Sequence, residues 1–596
     1  MAPPSRFTPF LGRDAERRAI ETAVRSLSTG VAQKMMLFIG EPRIGKSRLL
    51  QFATEISAGA GVRVVSARCF EAEMIRPYGL WIDALRASSP DEMSLDQRPD
   101  YLTPGFPDPA ATQDQPESRD KLFATVAGRL AAMARSQTLT VALDDLQWID
   151  EASACLLHYV LRTARPVHRV LFVGAVRDGE IDDNPVARRL LASLKRDRLI
   201  RTYALPPLER AEIAALFPGR LSESEATDIW RACGGNPLFA IEMARSEPHG
   251  RQFHSRDISS LIADRLDRLE GPARELIQFA SAIGRAFGAE LVSTALARPE
   301  ISVLRELDGL ERRGLLRSLP DARYDFVHDI VRRETYQRLS QPHRRIIHRR
   351  LSQALTDAAR SDESLFGDLA HQAGLAQEHG LAAEACISVG ERCLRLFANA
   401  EATNAADRGL AHLEHVTAAS EHVRLRISLF RIKAFAAASP GAPAVPELMD
   451  DLRRAIDHAE SLGLHAAASL GSHVLSWVTQ RRNDMSGVRL ATLHAEAMSR
   501  TTDQATRCHQ LANTGRCLLD VEQEIDQARA FLHEADMLAT RLNLRFVELD
   551  WGKGLIARWD GNLEAAHAAM SRALTLARMR EEHWREIECL VWLARF

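Results

Sequence analysis

Met35-Met36-Leu37-Phe38-Ile39 runs directly into Gly40-Glu41-Pro42-Arg43-Ile44-Gly45-Lys46-Ser47, and Arg48-Leu49-Leu50-Gln51-Phe52 follows. This stretch decides the fold. Five apolar residues without alternation are what a strand buried on both faces requires. The next eight fit G-x-x-x-x-G-K-[ST], for which a chance match somewhere in a chain of 596 residues is roughly 0.02. The residues after them continue as a helix. Strand, glycine-containing loop and helix in that order make a phosphate cradle, in which loop N–H groups and the helix N-terminus surround an anion. Lys46 is then placed for the β- and γ-phosphates, and the Ser47 hydroxyl for Mg²⁺. The competing reading is a glycine turn beside a solvated lysine.

Working outward, four more apolar runs read as buried strands: Val62–Ala67, Leu139–Leu143, Val170–Ala175 and Leu199–Leu205. Helical patterns separate them, so the expectation is a parallel α/β sheet. Thr140-Val141-Ala142-Leu143 ends in Asp144-Asp145. At the tip of a strand beside the cradle, Asp144 is placed to hold Mg²⁺ and Asp145 to polarise an attacking water. A pair of ordinary loop acids is the alternative. Arg177 follows the Val170–Ala175 strand, where a guanidinium could reach the γ-phosphate and distinguish ATP from ADP. It could also pair with Asp178 or Glu180 on the surface.

Composition narrows the class. Apolar residues make up 46% and charged residues 26%, as in packed globular protein, which excludes disorder over most of the chain. Lys plus Arg is 77 against 79 Asp plus Glu, so no overall basic excess points to nucleic acid or an anionic membrane. No run of 18 apolar residues occurs, and the N-terminus lacks an apolar signal core. The eight cysteines have neither C-x-x-C spacing nor histidines at metal-ligand spacing, which suits a reduced cytoplasmic protein without a zinc site.

The fold class expected is a P-loop α/β NTPase followed by a helical lid, a winged helix and an all-α solenoid. The nucleotide-binding part is placed at 1–205, with a proline-rich surface insertion at Ser88–Ser118. A helical lid follows at 206–250, ending in Gly234-Gly235-Asn236-Pro237. Residues 251–345 carry helical runs and two short strands around Gly314–Ser318 and Tyr324–Val327, the order of a winged-helix domain. From 346 to 596 the chain is helical and rich in Ala and Leu. There Leu563-Glu564-Ala565-Ala566 with Met570, Ala573, Leu576 and Ala577 repeats Ile525-Asp526-Gln527-Ala528 with Leu532, Ala535, Leu538 and Ala539, 38 residues earlier. A weaker copy near Met485 sits at an offset of 40. Such periods read as stacked helix pairs of tetratricopeptide style, against a non-repetitive Ala-rich bundle.

Taken together, these motifs resemble the STAND-class ATPases (signal transduction ATPases with numerous domains) within the AAA+ group, above all those of bacterial LuxR- or SARP-type regulators. Phe10-Leu11-Gly12-Arg13 with Glu16 resembles the family's opening element, whose backbone borders adenine. Val173-Gly174-Ala175-Val176-Arg177 resembles its first sensor strand, and Gly235-Asn236-Pro237 its GxP element, whose proline packs near the base. Phe326-Val327-His328-Asp329 resembles its MHD-type element, in which the histidine meets the β-phosphate of ADP. The resemblance implies that Phe10, Leu11, Arg13, Gly40, Arg43, Ile44, Gly45, Lys46, Ser47, Arg48, Pro237 and His328 bind ATP or ADP. It places Mg²⁺ on Ser47 and Asp144, with Asp145 and Arg177 serving hydrolysis. It also implies a switch that is closed with ADP and opened or assembled with ATP, when a signal ligand or protein engages the repeats. DNA contact would come only through an output domain not evident in these residues.

Two other readings stand beside it: a continuously cycling ATPase, and a scaffold that holds structural nucleotide while its repeats recruit a partner. One departure bears on turnover. Related loops usually carry glycine where this chain has Arg43, and a positive φ there costs an ordinary residue of order 1 kcal/mol. Weak hydrolysis in the service of switching is therefore the expectation. The apolar end at Val591-Trp592-Leu593-Ala594-Arg595-Phe596 suggests a missing partner helix, an oligomer contact or a longer protein.

Overall fold

The computed structural model describes residues 12–27, 35–71, 74, 76–86, 119–163, 169–217, 223–246, 258–319, 322–437, 446–580 and 582–595. The chain divides into two compact units, with the break between Gln377 and Glu378.

The first unit opens with α1 (Asp14–Ser26), β1 (Met35–Gly40), α2 (Lys46–Gly59), β2 (Arg63–Arg68), α3 (Gly79–Arg86), α4 (Arg119–Ser136), β3 (Leu139–Asp144), α5 (Glu151–Thr163), β4 (Val170–Arg177), α6 (Pro185–Arg196) and β5 (Ile200–Ala204). The strands form one parallel sheet in the order β2-β3-β4-β1-β5. All five expected strands are present, each within a residue or two of its reading. β1, β3 and β4 are buried nearly throughout, which is why they read as unbroken apolar runs. β5 lies at the edge and exposes Arg201 and Thr202. One face of the sheet packs Phe38, Ala142, Leu171 and Val173 against Ile20, Leu49 and Ala53.

The order matters for the site. β4 lies between β1 and β3, with Gly40 opposite Arg177 and Arg68 of β2 opposite Asp144. Parallel strands bring their C-terminal ends to one edge, so the cradle, both acids and two arginines share that edge.

The chain continues through α7 (Arg210–Ala215), α8 (Glu223–Cys233) and α9 (Pro237–Ser246), which close a small core of Leu208, Ile213, Ile229, Cys233, Ala240 and Met243. Next come α10 (Ile258–Asp267), α11 (Gly271–Ile283), α12 (Ala289–Leu296), α13 (Glu300–Arg312), β6 (Leu316–Ser318), β7 (Tyr324–Phe326), α14 (Asp329–Gln337), α15 (Gln341–Ser361) and α16 (Phe366–Leu375). β6 and β7 form an antiparallel hairpin, and the helices share one core with it. α15 and α16 pack on this core rather than on the later helices. His348 of α15 and Gln372 of α16 are bonded at 2.6 Å, and Gln372 donates to the Ala282 carbonyl at 3.1 Å. Sequence reading began the last domain near 346; this buried polar contact keeps α15 and α16 in the first unit, to Gln377.

The second unit is all helix: α17 (His379–Arg395), α18 (Asn399–Leu413), α19 (Ala419–Ala436), α20 (Pro446–Ser461), α21 (His465–Arg481), α22 (Met485–Ser499), α23 (Gln504–Asp520), α24 (Ile525–Leu542), α25 (Val547–Trp559), α26 (Leu563–Met579) and α27 (His583–Leu593). Neighbours pack in pairs, α17 with α18 through α25 with α26. The repeat shows in the buried positions. Ala528, Leu532, Ala535 and Ala539 of α24 correspond to Ala566, Met570, Ala573 and Ala577 of α26. They also match Val488, Thr492, Ala495 and Ser499 of α22. Small residues on these faces let helices approach closely. Leu532 occupies the space left by two glycines, since a Cβ on Gly515 or Gly552 would come within 2.5 Å of its side chain.

Among the described residues no helix is long and apolar enough to cross a membrane. The Ser88–Ser118 insertion, Phe10 and Leu11 lie outside the described residues. Leu532 is fully enclosed between two helix pairs, so Leu532→Ala should lower stability by about 2–5 kcal/mol. Urea unfolding followed by helical circular dichroism checks this; an unchanged transition would contradict the packing.

Candidate nucleotide-binding site

The loop between β1 and α2 is held in an unusual backbone. Gly45 has φ 108°, and a Cβ there would meet nothing within 4 Å, so the helix N-terminus opens onto free space. Arg43 has φ 71°, the left-handed region that sequence reading identified as its cost. Arg43 does not redirect the loop. Instead its guanidinium lies 5.5 Å from the centre of the Phe239 ring on α9, a cation–π contact that offsets part of the strain. Asn236 donates to the Pro42 carbonyl at 3.2 Å. Arg13 donates to the carbonyls of Ile44, at 3.3 Å, and Pro206, so it braces the loop from the side.

Lys46 is buried and folded back, donating to the carbonyls of Gly40 at 2.8 Å and Glu41 at 2.6 Å. Burial, helped by the nearby Arg177, lowers its pKa to about 8. A cation satisfied only by its own loop is positioned to turn to a phosphate. Arg48 points away and pairs with Glu55 at 3.1 Å.

Asp144 and Asp145 end β3. Asp144 accepts a hydrogen bond from the Ser47 hydroxyl, and burial beside Asp145 pushes its pKa up. Two hard oxygens side by side at the helix N-terminus fit a divalent cation that would hold them together and favour the ionised acid. Asp145 is differently placed. It has φ 53°, and its carboxylate accepts from four side-chain nitrogens. Oδ1 takes Gln147 Nε2 at 2.9 Å and Arg177 Nε at 3.0 Å; Oδ2 takes Arg68 Nε at 2.8 Å and Arg177 Nη2 at 3.2 Å. Although burial opposes it, Arg68 and then Arg177 hold its pKa below the usual carboxylate range.

Arg177 also reaches Glu180 at 3.2 Å and Asp329 of α14 at 3.8 Å. Asp329 is bound by Arg332 at 2.8 Å and Arg333 at 2.9 Å. His328 precedes it as the N-cap residue of α14 and is half-buried. Pro237 opens α9, and Gly235 before it has φ 74°. A Cβ on Gly235 would lie 2.5 Å from the Leu208 carbonyl oxygen, so only glycine brings α9 this close.

The structure thus brings Gly40, Arg43, Ile44, Gly45, Lys46, Ser47, Asp144, Asp145 and Arg177 to one edge. Arg13 and Asn236 brace it, and Asp329 reaches it from α14. Sequence reasoning gave no role to Arg68, Gln147, Asn236 or Asp325; Glu180 entered as the alternative partner of Arg177, and that pair forms at 3.2 Å. Arg68 was open to discovery, since it follows the expected Val62–Ala67 strand and must reach the same edge as Asp144.

Residues 9–173 match the family model of the AAA ATPase domain. An uncharacterized protein of Rhizobium meliloti is 26% identical over 301 residues, 45% of this chain and 28% of that protein. The chain therefore spans well under a third of the curated relative it matches. Among solved structures, a STAND protein with a tetratricopeptide repeat sensor from Pyrococcus horikoshii is 14% identical. That similarity covers 99% of this chain and 86% of the other, at a TM-score of 0.46. The Aeropyrum pernix ORC2 protein is 15% identical over 59% of this chain and 97% of its own, at a TM-score of 0.29. The residues that match the AAA ATPase family model include β1, β2, β3 and the start of β4 of the five-stranded parallel sheet.

Lys46 yields a pH prediction. Its pKa is about 8 in the folded chain without nucleotide, and phosphate oxygens would raise it. Binding near pH 8.5 should then take up a substantial fraction of about one proton, and affinity should fall as pH rises through about 8. Titration calorimetry in two buffers of different ionisation enthalpy reads this directly. No proton uptake, or ATP binding retained in Lys46→Ala, would contradict the assignment.

Proposed function

We propose that the chain is a nucleotide-dependent signalling switch, closed with ADP and opened or assembled with ATP when a ligand or protein engages its C-terminal helices. Its output is regulatory, with transcription the leading candidate. The observation that carries this reading is convergence. The sheet edge offers Lys46, Asp144, Asp145 and Arg177; α9 touches the same loop through Asn236 and Phe239; α14 reaches Arg177 through Asp329. A ligand seated there would touch parts that can separate.

Loop N–H groups and Lys46 would hold the phosphates, and Ser47 and Asp144 the Mg²⁺, which would supply positive charge against the β- and γ-phosphates. Arg177 would report the γ-phosphate. Switching requires different affinities for ADP and ATP in the two states, because a ligand that binds both equally shifts nothing. Hydrolysis then resets the switch and need not be fast. The strained Arg43 and the fully occupied Asp145 both favour a slow step.

His328, the N-cap residue of α14, is the residue we assign to the β-phosphate of ADP in the closed state, on its resemblance to the MHD-type element. His328→Leu should speed ADP release by about tenfold, the loss of one charge-assisted hydrogen bond. Displacement of a fluorescent ADP analogue measures it. Release at the wild-type rate would overturn the role of α14 in closure.

A further inference from the structure

Arg68 joins two parts of the first unit that no family motif connects. It stands at the C-terminal end of β2, opposite Asp144. Its Nε and Nη2 both lie 2.8 Å from Asp145 Oδ2, a side-on pairing. Its third nitrogen, Nη1, lies 3.3 Å from Asp325 Oδ2 in the β6–β7 hairpin. The side chain is 26% exposed, and it rests 5.3 Å from the Phe70 ring centre, which limits its freedom. Asp325 is itself 7% exposed and is also held by Arg317 at 3.0 Å. One guanidinium therefore spends one edge on the acid beside the phosphate loop and the other end on the winged hairpin.

The consequence follows from counting acceptor sites. A carboxylate offers about four lone-pair positions. Asp145 receives four hydrogen bonds, three of them from Arg68 and Arg177, so no lone pair is left to orient a water. Arg177 and Gln147 belong to the sheet edge and stay with it. Arg177 also reaches Asp329 of α14, at 3.8 Å, whereas Arg68 is the donor that ties Asp145 to the β6–β7 hairpin. Two guanidinium N–H groups on a buried carboxylate oxygen make a charge-assisted contact that is stronger and more geometrically demanding than a neutral hydrogen bond.

We propose that Arg68 is a positioning residue that clasps Asp145 to the β6–β7 hairpin, keeping the acid occupied and the hairpin seated together. It rests on the switch reading above and adds to it a restraint on hydrolysis that lies outside the phosphate loop. Its two legs are separable. Loss of Arg68 frees a lone-pair position on Asp145 Oδ2, which keeps Arg177 Nη2, and also unseats the hairpin. Loss of the Asp325 charge unseats the hairpin and leaves the Asp145 pair intact.

The test uses the full chain with ATP and Mg²⁺ and two readouts: single-turnover hydrolysis of bound ATP, and displacement of a fluorescent ADP analogue. Arg68→Gln should raise both rates, each on the order of tenfold. Asp325→Asn should speed ADP release and leave single-turnover hydrolysis unchanged. Arg317→Ala, which removes the half-exposed partner of Asp325, should change neither. Melting curves confirm that each variant is folded, and Arg68→Lys, which keeps charge but not the side-on pairing, should restore only part of the restraint. If folded Arg68→Gln hydrolyses and releases at wild-type rates, the clasp is wrong. If Asp325→Asn speeds hydrolysis as much as Arg68→Gln, the division of its legs is wrong. If the wild-type chain binds no nucleotide, the switch reading falls and the clasp falls with it.

Discussion

Two adjacent acids at the buried end of one strand set the terms for the rest of the first unit. Asp144 and Asp145 close β3, and each must have its charge offset where water is scarce. The sheet order supplies the answer. β2 and β4 flank β3, and their ends deliver Arg68 and Arg177 to Asp145. Asp144 is left with the Ser47 hydroxyl and the Asp145 backbone N–H, the arrangement a divalent cation would complete. The arginines in turn attract further acids, Glu180, Asp325 and Asp329, the last two from the hairpin and α14. Balancing two charges thus recruits the winged helix to the site.

The loop opposite is held by strain and by bracing. Arg43 and Asp145 both sit at positive φ, which ordinary residues adopt at a cost of order 1–3 kcal/mol. Such conformations persist when neighbours over-determine them. Arg13, Asn236 and Phe239 do so for the loop, and Arg68, Gln147 and Arg177 for Asp145. Asn236, just before α9, and Phe239 within it hold the loop, and Asp325 of the hairpin holds Arg68, so movement of α9 would change the loop and movement of the hairpin the acid. That coupling gives nucleotide and closure a shared energetic term.

Much of this was legible in the sequence. Unalternating apolar runs identified β1, β3 and β4, because strands buried on both faces leave no polar trace, and the edge strands β2 and β5 were found from shorter apolar stretches that also expose polar residues. The phosphate loop, Asp144 and Arg177 followed from strand tips at one edge, and the strain at Arg43 followed from its missing glycine. The 38-residue offset between Ala528 and Ala566 reported real equivalence of buried positions. What escaped were partnerships. That Arg177 would be shared among Asp145, Glu180 and Asp329 depends on a neighbouring strand and on α14, more than 100 residues further along, and no local pattern encodes it. The boundary near 346 also misled, since α15 and α16 are as helical as the repeats. Their buried residues place them with the first unit: Ile347, Leu351 and Ala354 of α15 join its core, and Gln372 of α16 donates to the Ala282 carbonyl.

The most direct measurement is the nucleotide content and mass of the protein as purified, before and after excess ATP with Mg²⁺. The account predicts tightly held ADP at first, and a change in shape or assembly once ATP replaces it. An empty site with rapid turnover, or nucleotide exchange that leaves mass and shape unchanged, would contradict it.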